Sequence, residues 1–414
     1  MSGASVLKIL FLMYDALPPF RPDVKALFGQ ELPKLGVCSD LLGQTSPDYS
    51  PSARWGGGEL LPMGRQRKGL LGEFIRPFRD LVGLLRHLKP EHRVIQVRDK
   101  IRTGVLAWIV ARLTGRKIVY WMSFPFADGF EARARELGRS KGWVVWLANW
   151  SRATLARWVF YRFLVHRVDH LFVQSDAMLQ MMQRRTGLAA QRMTAVPMGV
   201  AASWLSRDRQ ALAGERPTVL EGRRVLAYMG TLARSRQPEF LLRVLERIRE
   251  SEPSALLLLI GDAPSADEQA WLREQIASSP AANAVHLTGW LAPEEGQRWL
   301  AHAELGYSPI PRGPLFDVGS PTKAMEYMAL GIPCVANDNP DQRLALEQSG
   351  AGLCVPMEVE AFAQASLRIL RDPELAQRLS ECGPTWIAQH RSYPVLAAKV
   401  AAAYRTLLEP SHVA

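Results

Sequence analysis

The chain has 414 residues, 48% of them apolar, and a formal net charge of +11. That length exceeds what one hydrophobic core serves, so two domains of about 200 residues each are expected, and the apolar content is ample for two cores. Cys38, Cys334, Cys354 and Cys382 show no Cys-x-x-Cys spacing and no histidine at metal spacing, which argues against a disulfide frame or a zinc site and favours the reduced cytosol.

The first apolar run is broken by Lys8 and followed by Tyr14-Asp15 without a small-residue cleavage site, so residues 7–13 are read as a strand and not as a signal peptide. No stretch reaches eighteen uncharged apolar residues, and no transmembrane helix is expected. Residues 55–72 read as a Gly-rich irregular loop. Apolar strand-like runs at 94–97, 117–122, 170–173 and 193–197 then alternate with helical stretches, the pattern of βαβ units. The positive charge is concentrated in this half. Residues 65–102 hold eleven Lys/Arg against four Asp/Glu, and 133–167 hold eight against one. Such an excess suits an acidic membrane surface, a phosphorylated substrate or nucleic acid. Trp143, Trp146, Trp150, Trp158 and Tyr161 share one broad helical stripe while Lys141, Arg152 and Arg162 project elsewhere. Both an interfacial helix and an ordinary core helix fit, because Val144, Val145, Phe160 and Phe163 spread apolarity around it. After a linker at 201–222 the strand pattern restarts at 224–228, 255–261, 285–287, 305–307 and 333–336. The last segment, 393–408, is a strong helix by alanine content and apolar period.

One segment is especially rich in information: Gly319-Ser-Pro-Thr-Lys-Ala-Met-Glu-Tyr-Met-Ala-Leu-Gly-Ile-Pro-Cys-Val-Ala336. Ser320 suits an N-cap and Pro321 a first helical position, so a helix is predicted from about Pro321 to Leu330, ended by Gly331 and Pro333. Its free N–H groups and positive dipole end suit a diphosphate, and Lys323 adds a charge in the first turn. Glu326, one turn later, can accept hydrogen bonds from ribose hydroxyls. The segment resembles the donor-site helix of the GT-B glycosyltransferases, in the large retaining group called family 4 or glycosyl transferase group 1, of the exopolysaccharide and lipid-linked glycan type.

Other segments carry the same resemblance in chain order. Tyr228-Met-Gly230-Thr231-Leu-Ala-Arg234-Ser-Arg236 stands where the family holds the donor diphosphate with two basic residues; Arg236 keeps one, and Thr231 replaces the other. Arg234 can substitute only if its loop turns it inward. Leu258-Leu-Ile-Gly261-Asp262 and Val285-His-Leu-Thr-Gly289 resemble loops flanking the nucleotide base, and Val196-Pro-Met-Gly-Val200 resembles the interdomain crossing. There are departures too. The family's first glutamate is Val318 here, with Asp317 the neighbouring carboxylate; the His-Asp motif of the first domain is Ser123-Phe124; and the Gly-Gly acceptor loop is Pro19-Phe-Arg-Pro-Asp23.

The resemblance implies an α/β, GT-B fold of two Rossmann-like domains, residues 1–203 for the acceptor and 204–390 for the nucleotide-sugar, with 391–414 crossing back to the first. It implies a hexosyltransferase that moves sugar from a UDP- or GDP-sugar to a glycan or polyprenyl-linked acceptor with retention, in cell-surface polysaccharide synthesis, peripheral on the cytosolic face of the inner membrane. Lys323, Arg236 and Asp317 are the implied catalytic residues. Gly230, Thr231, Gly261, Asp262, Gly289, Ser320, Thr322 and Glu326 are the implied donor contacts. No cofactor or metal is expected, since Asp338-Asn-Pro-Asp341 lacks metal-motif spacing, and Asp317 and Asp99 are the only candidate nucleophiles for a double displacement. A non-catalytic subunit and a nucleotide-sugar 2-epimerase remain open. A nucleic-acid partner is not expected, because no binding-module signature accompanies the charge.

Overall fold

The computed structural model describes residues 6–47, 49–65, 70–138, 142–205 and 207–409. Arg67, Lys68, Arg139 and Lys141 of the basic segments, and residues 410–414, lie outside the described residues. The chain divides into two compact units, Met1–Pro197 with Tyr393–Ala414, and Met198–Ser392. Residues 198–200 belong with the second unit because the Val200 N–H donates to the Arg391 carbonyl and Val200 bridges Ser392.

The first unit holds a seven-stranded parallel sheet: β1 (Leu7–Leu12), β2 (Val37–Thr45), β3 (Leu60–Arg65), β4 (His92–Arg98), β5 (Lys117–Met122), β6 (His170–Val173) and β7 (Met193–Ala195), in the order β3-β2-β1-β4-β5-β6-β7. Helices α1 (Leu70–His87), α2 (Ile101–Leu113), α3 (Phe126–Leu137) and α4 (Trp143–Trp158) belong to it. Two of these strands fall where the sequence predicts none. β2 carries buried Asp40, held by His92 Nε2 at 2.9 Å and by the Glu59 N–H at 2.8 Å, so its polar residues hide a strand. β3 lies inside the segment read as an irregular loop; Pro62 and Gly64 are tolerated there because β3 is an edge strand.

The aromatic stripe divides between the two readings. Trp143 and Trp158 are 69% and 59% exposed, whereas Trp146 and Trp150 are half-buried and stacked, with centroids 6.2 Å apart. Tyr161 is buried and its O–H donates to Asp128 at 2.6 Å.

The second unit holds β8 (Arg224–Met229), β9 (Ala255–Ile260), β10 (Val285–Leu287), β11 (Leu305–Ser308), β12 (Cys334–Asn337) and β13 (Gly352–Val355), all parallel, in the order β10-β9-β8-β11-β12-β13. Its helices include α5 (Ala266–Ser278), α6 (Thr322–Ala329) and α7 (Pro340–Ser349). Every residue of β9 is buried, as expected for a parallel strand covered on both faces. In each sheet the strand order reverses once, between β1 and β4 and between β8 and β11. Ligands of open α/β sheets bind beyond the strand ends at such a point. The terminal helix α8 (Tyr393–Leu408) packs within the first unit, where buried Tyr404 donates to Gln96 and meets Phe172 edge-on. No helix among the described residues is long and apolar enough to cross a membrane.

Candidate functional site

At the reversal point of the second sheet, β8 runs out at Met229 into Gly230, whose φ of +136° suits glycine alone. Its N–H donates to the Ile260 carbonyl at 2.8 Å. Gly261 lies so close that a Cβ there would stand 2.3 Å from the Gly230 oxygen, and Gly261 in turn bridges Gly289. Three glycine turns at adjacent strand ends therefore lie side by side.

Helix α6 begins at Thr322, not at Pro321, whose ψ of 132° is extended. Ser320 does not cap it. The Ser320 hydroxyl accepts the Met198 N–H at 2.9 Å and donates to buried Asp341 at 2.6 Å, so it is committed to the scaffold. Among the described residues no side-chain cap is made at Pro321, which leaves the N–H groups of the first turn of α6 available to an anion. The helix is clamped beneath the sheet by Tyr327, whose O–H donates to the Tyr307 carbonyl at 3.1 Å and accepts the Met229 N–H at 3.0 Å. Gly306 makes room for that ring, since a Cβ there would come within 2.5 Å of it.

Lys323, in the first turn of α6, lies across Gly230 with Nζ 5.0 Å from the Tyr228 ring centroid. Half-buried Glu326 follows one turn later. Burial pushes its carboxyl up to about 7, and the nearby Lys323 charge pulls the other way. Arg236 sits half-buried in a short 3-10 turn with its guanidinium 5.3 Å from the Phe316 ring, next to the loop after β11. Arg234 instead stacks on Trp271 of α5 at 4.8 Å, so the loop does not turn it inward.

Several other predicted residues have protein partners of their own. Asp317 is paired with Arg312 at 2.7 and 3.2 Å, and Arg312 also holds Asp338 at 2.6 Å. Val318, beside it, is buried. Asp262 is buried, accepting the Ala263 N–H at 2.8 Å and Arg273 at 3.1 Å, which rigidifies its turn. Thr231 offers its carbonyl to the Tyr228 O–H at 3.2 Å. In the first unit, Asp99 has φ +57° and accepts the Ser123 N–H at 2.9 Å as well as its hydroxyl.

Sequence reasoning missed the buried polar frame of this site. Asn337 pairs both ways with the Ile310 backbone at 2.8 Å, and Gln342 donates to the Ser308 and Asn337 carbonyls. Arg391 pairs with Asp341 at 2.8 Å, both buried. The crowding of Asn, Asp and Gln just after the apolar run at 333–336 was the available signal.

The family model described as Glycosyl transferases group 1 matches residues 223–372, and that of a Glycosyl transferase 4-like domain matches residues 27–199. An alpha-D-kanosaminyltransferase of Streptomyces kanamyceticus is 23% identical over 61% of this chain and 64% of its own length. The chain spans less than two thirds of the length of the curated relatives it matches. Sucrose-phosphate synthase of Thermosynechococcus elongatus aligns over 97% of this chain and 99% of its own, at 18% identity and a TM-score of 0.69. Anabaena Alr3699/HepE, in complex with UDP-glucose, aligns over 96% and 99% at 17% identity and a TM-score of 0.64.

Proposed function

The chain belongs to the group 1 glycosyltransferases and has their GT-B fold, and from that premise we propose that it moves a sugar from a UDP- or GDP-sugar to a glycan or lipid-linked acceptor with retention, in building a cell-surface polysaccharide. The observation that carries this reading is the uncapped start of α6, with Lys323 laid across Gly230 and Glu326 one turn further on. The UDP-glucose held by the Anabaena structure supports a nucleotide-sugar of that type.

In this reading the C1–O bond to the diphosphate breaks and negative charge grows on the leaving oxygens. Lys323, Arg236 and the helix N-terminus stabilise that charge more in the transition state than in the ground state. The acceptor oxygen bonds C1 on the same face, and its proton passes to the departing phosphate oxygen. Glu326 accepts the ribose hydroxyls. Asp317, paired with Arg312, shapes the loop beside Arg236 in this reading. The residues of the site supply the charge a diphosphate needs, and the chemistry calls for no cofactor or metal.

The exposed Trp143 and Trp158, with exposed basic residues such as Arg65, Arg86, Arg93 and Arg162, hold the first unit against an anionic leaflet at the cytosolic face. Incubation with a panel of nucleotide-sugars and a membrane lipid extract tests the whole reading. The expected result is release of UDP or GDP together with a labelled glycan or lipid product. Nucleotide release without a labelled acceptor, or an isomerised free donor, would refute transfer.

A further inference from the structure

The first sheet has its own reversal point, between β1 and β4, and a cavity of about 470 Å³ lies there, within the size range of small-molecule sites. Tyr14 follows β1 and Asp99 follows β4; α1 and α4 supply two further walls. Most of the lining is apolar, including Pro77, Ile101, Phe126, Phe130, Leu155 and Val159.

Three arginines stand in that apolar setting. Arg76 is only 6% exposed; its Nη2 lies 2.8 Å from Glu73, its guanidinium faces the Tyr14 ring at 4.8 Å, and its Nε and Nη1 have no acceptor among the described residues. Arg102 donates to the Glu73 carbonyl at 2.9 Å, and Arg152 lies over the Phe130 ring at 5.2 Å. Partial burial lowers the Arg102 pKa, the positive charges of Arg152 and Arg76 lower it further and Glu73 pulls the other way, so the three arginines repel one another across a single carboxylate. Other nearby charges are already matched: Lys100 by Asp80 at 2.9 Å, and Asp99 by Ser123 and Arg98. Buried donors without acceptors and mutually repelling cations are what an anion would relieve.

The surroundings specify the rest of the ligand. On α1, Phe74, Phe78, Val82 and Leu85 recur at helical spacing and are all exposed. On α4, Trp143, Leu147, Leu155 and Trp158 are exposed as well. Apolar side chains on two helices beside one cavity suit hydrocarbon, and the charge complementarity inside it selects a phosphate head.

We infer that this cavity takes the phosphate-bearing end of a membrane lipid, with Arg76, Arg102 and Arg152 on the head and the chain running out along the apolar faces of α1 and α4. The inference deepens the acceptor part of the proposed function and rests on it for its purpose, while the binding itself requires no donor.

The test is equilibrium binding of farnesyl phosphate to the full chain, followed by native mass spectrometry, with farnesol and inorganic phosphate as chain-only and head-only arms. Farnesyl phosphate should bind about tenfold or more tightly than farnesol, and the exposed pair Arg102→Ala/Arg152→Ala should remove that advantage while leaving farnesol affinity unchanged. UDP titration of the same samples separates the two readings. Farnesyl phosphate binding that persists in a sample unable to bind UDP supports the cavity and counts against the donor site. Normal UDP binding without farnesyl phosphate binding overturns the cavity alone, as does equal affinity for farnesol, or inorganic phosphate that binds as tightly as the amphiphile.

Discussion

Replacing Gly230 by alanine adds a methyl group that would lie 2.9 Å from Lys323 Cε and 3.3 Å from its Nζ, with no other described residue beyond its chain neighbours within 4 Å. The far end of a flexible lysine can move, so the fold should survive. Two costs remain. A φ of +136° is strained for alanine, worth about 1–3 kcal/mol in free and bound protein alike. Displacing the ammonium removes a charge-assisted phosphate contact of about 1.5–3 kcal/mol, or about 10- to 150-fold in the Kd for UDP. Lys323→Ala should produce a loss of the same size without the strain. In the Lys323→Ala background the new methyl no longer meets a lysine, so its effect on UDP affinity should vanish and only the lowered thermal midpoint should persist. Titration calorimetry with UDP on the wild type, both single variants and the double variant measures the cycle directly. An equal loss of affinity from Gly230→Ala in both backgrounds refutes the coupling, and unchanged UDP affinity in folded Lys323→Ala refutes the donor-site assignment itself.

Glu326, with a carboxyl raised to about 7, favours the neutral form in the folded state. That contribution to stability is complete below the ordinary value of 4.5 and disappears as pH rises through about 7. The ionised form is the better acceptor for ribose hydroxyls, so UDP affinity of the wild type relative to Glu326→Gln should climb between about pH 6 and pH 8; a flat ratio removes the ribose role. Asp341→Ala leaves Arg391 buried without its carboxylate and Ser320 without its acceptor, which should cost about 3–5 kcal/mol in urea unfolding, with partial recovery in Asp341→Leu/Arg391→Met. The wild type should float with phosphatidylglycerol vesicles in preference to neutral ones and less so as salt rises, since each basic residue near the surface adds about 1 kcal/mol. Trp143→Ser/Trp158→Ser with Phe74→Ser/Phe78→Ser should weaken flotation without unfolding the chain, because all four are exposed. Indifference of the wild type to anionic vesicles would place the acceptor in solution.

The sequence by itself determined the two α/β halves, because fully buried parallel strands such as Ala255–Ile260 must be nearly continuous apolar runs. It also placed α6 to within one residue at each end, though not its cap, with Lys323 and Glu326 a turn apart between Pro321 and Gly331. Local chemistry decides such features, and local chemistry is what a sequence spells out. Strands β2 and β3 escaped it because their polar, proline and glycine residues are made acceptable only by distant partners: His92 for Asp40, and an edge position for Pro62. The same holds at the site. Ser320 has the chemistry of a cap, but Met198 and Asp341 claim its hydroxyl, and Asp317 meets Arg312, which no local pattern announces. Which partner a polar group takes depends on what the fold brings within about 3 Å, and residues far apart in sequence compete for it on equal terms once they are neighbours in space.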